Sequence, residues 1–93
     1  MDDVIYYNAL FDYYEELLTP TQVNYFKAYY CDNLSLSEIS TEYNVSRNAI
    51  SKTLKEVKEK LDYFENKLNL YKNKQEIIKL LPEDTVNLII NFI

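Results

Sequence analysis

Apolar residues return at steps of 4, 3, 4, 3 and 4 through Ile50, Leu54, Val57, Leu61, Phe64 and Leu68, with polar side chains filling the gaps. That spacing puts one continuous seam on a helix, and no Gly or Pro interrupts it. Ser46 stands where a helix N-cap would, so the helix is expected to open at Arg47 and Asn48 and run to Leu68. At 1.5 Å per residue it would be about 35 Å long, more than one small core needs. Tyr63 and Leu70 widen its apolar flank, which favours a bundle over a bare two-stranded coil.

The same periodicity predicts the other elements. Val4, Tyr7, Leu10/Phe11, Tyr14 and Leu17/Leu18 define a first helix over residues 2–18, with Asp12, Glu15 and Glu16 on its outer face. Asp2 and Asp3 suit its positive N-terminal end. The pairs Tyr6/Tyr7 and Tyr13/Tyr14 read as phenols at the rim of an amphipathic core helix rather than as a stacking platform. Thr19-Pro20-Thr21-Gln22 is a capping box with Pro at the first helical position, starting a helix to about Tyr30 that buries Val23, Phe26 and Tyr30 or their neighbours. Ser35 and Glu38 repeat the capping box and start a short helix to Glu42 or Tyr43, with Leu36, Ile39 and Tyr43 facing in. Asn44 can take the left-handed turn that a chain without Gly still needs, and Val45 would plug between the two helices. Short helix, tight turn and capped long helix together make a helix-turn-helix pattern. The expected fold is an all-α small helical bundle containing a helix-turn-helix with an extended recognition helix.

Beyond Leu68 a break is expected around residues 69–73. An apolar segment then follows from Lys74 to Leu81, and Pro82 starts or kinks a last helix. Asp84, Asn87 and Asn91 line one stripe there, while Val86, Leu88, Ile89, Ile90, Phe92 and Ile93 cover the rest. So apolar an end should be buried in its own fold or in a dimer mate, with a partner-binding tail as the alternative. This divides the chain into a helix-turn-helix domain at 1–70, including the long helix, and a C-terminal helical extension at 71–93 used for packing or dimerisation.

Composition narrows the chemistry. The 93 residues suffice for one domain and include ten Tyr, ten Asn and nine Lys but a single Arg. This usage fits an AT-rich genome, which lowers the weight of the tyrosines as stacking evidence and raises that of the lone Arg47. The net charge of −5 is wrong for a general nucleic-acid coat. It is unevenly spread, however: residues 1–45 carry eight acids and one base, whereas residues 46–79 carry nine bases and five acids. A locally basic helix on an acidic body suits modest, salt-sensitive nucleic-acid affinity. The one cysteine, Cys31, excludes an intramolecular disulfide and is expected to be a small buried thiol. With no signal peptide recognised, a cytoplasmic protein is expected. The absence of His removes the usual His-centred metal sites and the Ser–His–Asp and Cys–His sets. No catalytic residues, cofactor or metal ligands are assigned, an enzyme is not expected, and no apolar run is long enough for a membrane span.

The blocks LFDYYEELLT (10–19) and YYCDNLSLSEISTEYNVSRNAI (29–50), followed by the long charged helix, resemble the YlxM family over about residues 4–70. Its members are small bacterial helical proteins with a helix-turn-helix like that of sigma-factor region 4. The resemblance implies a non-enzymatic DNA-binding or regulatory protein associated with the signal recognition particle pathway. Carried over by position, the groove-facing residues would be Arg47, Asn48, Ser51 and Lys52, with Lys55 toward the phosphate backbone. The chemistry fits, since Arg reads guanine bidentately, Asn reads adenine, and Lys and Ser hold phosphate. Their spacing gathers them on one face, opposite Ile50 and Leu54. In one respect the chain departs from the family pattern of a Lys-Arg pair before an acid: Lys55 runs directly into Glu56, and with Glu59 this acid would repel a phosphate backbone.

Two readings result. One is a homodimeric helix-turn-helix protein contacting DNA, held together by the Leu54–Leu68 seam and the apolar tail. The other is an interaction module that binds the particle's RNA or protein without DNA binding, using the acidic face at Asp12, Glu15 and Glu16.

Overall fold

The computed structural model describes residues 2–92, apart from the side chain of Asp2. The expected helix-end role of the Asp2 carboxylate and the share of Ile93 in the apolar end lie outside the described residues. Among the described residues six α-helices follow one another: α1 (Asp2–Tyr14), α2 (Pro20–Phe26), α3 (Leu36–Tyr43), α4 (Arg47–Leu68), α5 (Leu70–Leu80) and α6 (Glu83–Ile89). There is no strand among the described residues, so the all-α expectation holds.

The helix starts are set by local chemistry. Thr19 Oγ1 accepts from the Gln22 amide at 3.3 Å, and Gln22 Oε1 accepts from the Thr19 amide at 3.0 Å. Ser35 and Glu38 make the same reciprocal pair at 3.1 and 3.0 Å. This capping holds the Glu38 carboxyl below its usual range. The ends use Asn where other chains use Gly: Asn33, Asn44 and Asn69 sit at φ 57°, 55° and 55°. Asn tolerates this left-handed region better than other residues with a Cβ.

Two buried clusters meet along α4. The first joins Leu10, Phe11, Tyr14 and Leu18 to Phe26, Val57 and Leu61, with Phe11 and Phe26 stacked at 4.3 Å. The second joins Tyr25 and Ala28 to Ile39, Ile50 and Leu54, with Val45 and Leu36 packed on it. Helices α1 and α4 run in the same direction, because their polar partners advance together. Lys58 Nζ meets Asp3 Oδ2 at 3.0 Å, the Tyr7 hydroxyl donates to Asp62 Oδ2 at 2.8 Å, and the Tyr14 hydroxyl donates to Glu65 Oε1 at 2.7 Å.

Several expectations are corrected. α1 ends at Tyr14 and passes through a 3-10 turn at Glu15–Leu17, so Leu18 is buried while Val4 and Leu17 are exposed. α2 ends at Phe26 and widens into a π-turn over Lys27–Cys31. That turn leaves Cys31 exposed rather than buried. Its thiol is still pushed up, first by partial desolvation and then by Asp32, so it is no activated thiolate. Tyr43 is only partly covered, at 37 % exposure, and lies edge-on to Tyr25. The α4 seam is buried only through Leu61; Phe64 is half-buried, Leu68 is exposed, and the buried residue of the last turn is Glu65. Leu54, Val57 and Leu61 are covered by the chain's own helices, so this stretch of seam is not available to a dimer mate.

The break after Leu68 is the single residue Asn69, and α5 begins at Leu70 rather than at Lys74. Asn69 supplies no side-chain cap. Instead Tyr14 and Glu65 cap α5 from outside it. The first three amides of the helix donate to the Tyr14 hydroxyl, Glu65 Oε1 and Glu65 Oε2 at 3.2, 3.2 and 3.0 Å. A carboxylate at a helix N-terminus also faces the favourable end of the dipole. Pro82 begins α6 as expected. The apolar end, however, is not buried in its own fold: Leu80, Leu88 and Phe92 are 83 %, 78 % and 84 % exposed.

Candidate nucleic-acid interface

The helix-turn-helix is closed from below by apolar contact and from the side by hydrogen bonds. Ile39 and Ile50 are fully buried in one cluster, and Val45 packs on it from the turn. Ser40 Oγ donates to the Val45 carbonyl, and the Val45 amide donates to the Ser40 carbonyl at 3.2 Å. Ser46 Oγ accepts from the Ala49 amide at 3.0 Å, which fixes where α4 starts.

That start decides which side chains face outward. Arg47, Asn48, Ser51, Lys52 and Lys55 are all exposed, while Ile50 and Leu54 between them are buried. None of the described ion pairs involves Arg47, Lys52 or Lys55; those pairs are Lys27–Glu15 and Lys58–Asp3. Among the described residues the Arg47 guanidinium donates to the Ser37 hydroxyl on α3, at 3.4 Å. The first turn of α4 has no acidic residue to offset its positive end, whereas α3 and α6 each have one or more. A cation in the first turn works against the helix dipole, so Arg47 there adds to an uncompensated positive tip rather than to stability.

The five residues do not lie on one uniform face. Ser51 and Lys55 turn toward the π-turn and α3, where with Tyr29, Tyr30 and Lys58 they border a cleft of about 250 Å³ floored by Leu36 and Leu54. Lys58 lies over the Tyr7 and Tyr30 rings at 5.2 and 5.5 Å. The Tyr30 hydroxyl and then Asp3 hold Lys58 above the usual lysine range, against a desolvation that would lower it. Neither Tyr29 nor Lys58 stands out in the sequence reading, although Ser51, Lys55 and Lys58 continue one row at steps of 4 and 3.

Glu56 and Glu59 are exposed on α4 beside these cations. Among the described residues no group of three or more His, Cys, Asp or Glu side chains is placed to hold a metal ion. No described helix is long and apolar enough to cross a membrane.

The profile of the family described as "Putative helix-turn-helix protein, YlxM / p13 like" matches residues 1–89. The chain is similar to a UPF0122 protein of Oceanobacillus iheyensis, at 43 % identity over 89 % of this chain and 79 % of that one. A UPF0122 protein of Listeria welshimeri is 46 % identical over 82 % of this chain and 69 % of its own length. One from Lactococcus lactis subsp. cremoris is 39 % identical over 83 % and 76 %. With a profile match across nearly the whole chain and these identities over most of both partners, the chain belongs to the UPF0122 family of YlxM/p13-like helix-turn-helix proteins.

Proposed function

We propose that the chain is a nucleic-acid-binding regulatory protein that presents Arg47, Asn48, Ser51, Lys52 and Lys55 to the groove and backbone of DNA. The observation that carries the reading is the closed turn at Asn44–Ser46, which leaves these five side chains exposed and outside any described ion pair. Glu56 and Glu59, together with the net charge of −5, keep the affinity modest and make it depend strongly on salt. The chain acts as a homodimer joined through the exposed apolar residues of α5 and α6, with residues 1–70 as the binding unit and 71–93 as the extension. The YlxM resemblance adds an association with the signal recognition particle pathway.

A second reading rests on the acidic face of Asp12, Glu15 and Glu16, where Asp12 and Glu16 are exposed and Glu15 is half-buried and paired with Lys27 at 3.3 Å. There the chain is an interaction module for a basic surface of the particle, and the helix-turn-helix is only its scaffold.

Binding of duplex DNA and of particle RNA at ~50 and ~200 mM salt tests both. DNA retention at the lower salt that is lost with Arg47→Ala, Lys52→Ala supports the first reading. No DNA retention at ~50 mM salt ends it. Capture of the particle's GTPase that fails on charge reversal at Asp12 and Glu16 supports the second.

A further inference from the structure

The cleft beside the reading face has three kinds of wall. Leu36 and Leu54 give it an apolar floor. Tyr29 and Tyr30 give it an aromatic side, set edge to face at 5.0 Å. Lys55, Lys58 and the Ser51 hydroxyl give it a polar and cationic rim. Two of these groups are fixed before any ligand arrives: Tyr30 packs on Phe26 with ring centroids 4.7 Å apart, and Lys58 is tied to Asp3 at 3.0 Å. Tyr29, at 37 % exposure, leaves ring surface open to solvent. The π-turn at Lys27–Cys31 carries both tyrosines, and such turns recur at functional sites.

A flat apolar face beside ammonium groups and a hydroxyl matches one chemistry well, a nucleobase joined to its phosphate. The volume admits one base with part of its sugar. A base inside a duplex is stacked on both sides and cannot enter, whereas an unpaired one can. Ser51 and Lys55 belong both to the cleft and to the proposed reading face, so a strand held along α4 passes its mouth. We propose that the cleft takes up one unpaired nucleotide of the nucleic acid bound on α4, its base against Tyr29 and its phosphate on Lys55 and Lys58. This rests on the nucleic-acid-binding reading above and names the feature in the target that the site prefers.

The test is fluorescence anisotropy of the full chain at ~50 mM salt with two labelled probes, a fully paired duplex and the same duplex carrying one unpaired adenine. The probe with the unpaired base should bind about tenfold tighter, the share expected of one base stacked on an aromatic ring. Tyr29→Leu should abolish the preference while leaving the paired probe's affinity unchanged, and Tyr29→Phe should keep it. Equal binding of the two probes, or equal weakening of both by Tyr29→Leu, overturns the proposal. So does displacement of the unpaired-base probe by adenosine monophosphate at equal concentration, which would make the cleft a free-nucleotide pocket. If the paired duplex binds in an Arg47-dependent way with no preference for the unpaired base, the cleft fails alone. If neither probe binds, the nucleic-acid-binding reading fails with it.

Discussion

The Tyr14 hydroxyl donates to Glu65 Oε1 at 2.7 Å across 51 positions of chain, with Tyr14 1 % and Glu65 7 % exposed. This pair fastens three helices at once. Tyr14 comes from α1, Glu65 from α4, and their remaining acceptor capacity takes the first three amides of α5. Tyr14→Phe removes a hydrogen bond to a carboxylate and strands the Leu70 amide, and should cost about 2–3 kcal/mol in urea unfolding. Glu65→Gln keeps one accepting oxygen but turns an NH2 group toward an amide donor, at about 1–2 kcal/mol. Because both changes strike one network, the double variant should fall short of the sum by at least about 0.5 kcal/mol. Strict additivity would mean that the three helices are not coupled through this pair.

The same contact predicts an alkaline instability. Burial, and then the hydrogen bond to Glu65, push the Tyr14 phenol up to about 12. The unfolded chain releases that proton near 10. Between these values the folded state holds a proton that the unfolded state has lost, so stability falls as pH rises. The contribution is fully present below about pH 10 and disappears toward pH 12, with a size of about 2–3 kcal/mol. Tyr7, also pushed up to about 12 by burial and by Asp62, acts in the same direction. Chemical denaturation across this window should show a shallower decline for Tyr14→Phe than for the parent chain. Parallel declines would remove Tyr14 as a cause.

What the sequence makes legible here is what the chain does over short distances. The caps at Thr19, Ser35 and Ser46 each join residues three apart, so type and spacing suffice to find them. Ile39, Ile50 and Leu54 declare themselves by period, and Asn44 declares the turn because the chain has no Gly to offer. Glu65 is the opposite case. Its partners are a tyrosine half the chain away and the amides of the next helix, so a charged residue beside an apolar seam gives no sign that it is buried. The start of α4, and with it the exposure of Arg47, Asn48, Ser51, Lys52 and Lys55, follows from the Ser46 cap and is readable. The cleft is not, because a π-turn rather than a regular helix aims Tyr29 and Tyr30 toward Lys58. Apolar content alone likewise could not say what would cover Leu88 and Phe92.

The register of α4, and so of the proposed interface, depends on Asn44 and Ser46. Asn44 holds φ 55° and ψ 48°, where most side chains cost about 1–2 kcal/mol. Asn44→Gly should therefore be nearly neutral, whereas Asn44→Ala should lose about 1 kcal/mol. Ser46→Ala removes the bond to the Ala49 amide and should cost about 1 kcal/mol. Urea midpoints measure all three. A Gly variant less stable than the Ala variant would show that the Asn44 side chain, rather than its backbone, holds the turn.

The proposed homodimer places its contact on α5 and α6, because the α4 seam as far as Leu61 is already covered within the chain. Light scattering at micromolar concentration should then give twice the chain mass. Leu88→Asp with Phe92→Asp should give the single chain mass while changing the stability of the remainder by no more than about 0.5 kcal/mol, the usual effect of surface changes. A parent chain that is monomeric in this assay would leave the apolar end to another partner.

Salt dependence distinguishes groove-facing residues from cations that only keep the protein soluble. Each phosphate neutralised on duplex DNA adds about 0.9 to the slope of log affinity against log salt. If Lys52 and Lys55 each engage a phosphate, Lys52→Gln and Lys55→Gln should each reduce that slope by about 1 and weaken all duplex sequences alike. Arg47→Lys should behave differently. It preserves the charge and hence most of the slope, but loses the planar fork that grips a guanine edge, so discrimination among sequences should fall by about 1–3 kcal/mol at the affected base pair. Lys67, exposed in the last turn of α4 and far from the turn at Asn44, is the control, and Lys67→Gln should leave the slope unchanged. Equal slope changes at Lys52, Lys55 and Lys67 would mean that the DNA meets a diffuse positive field rather than the tip of α4.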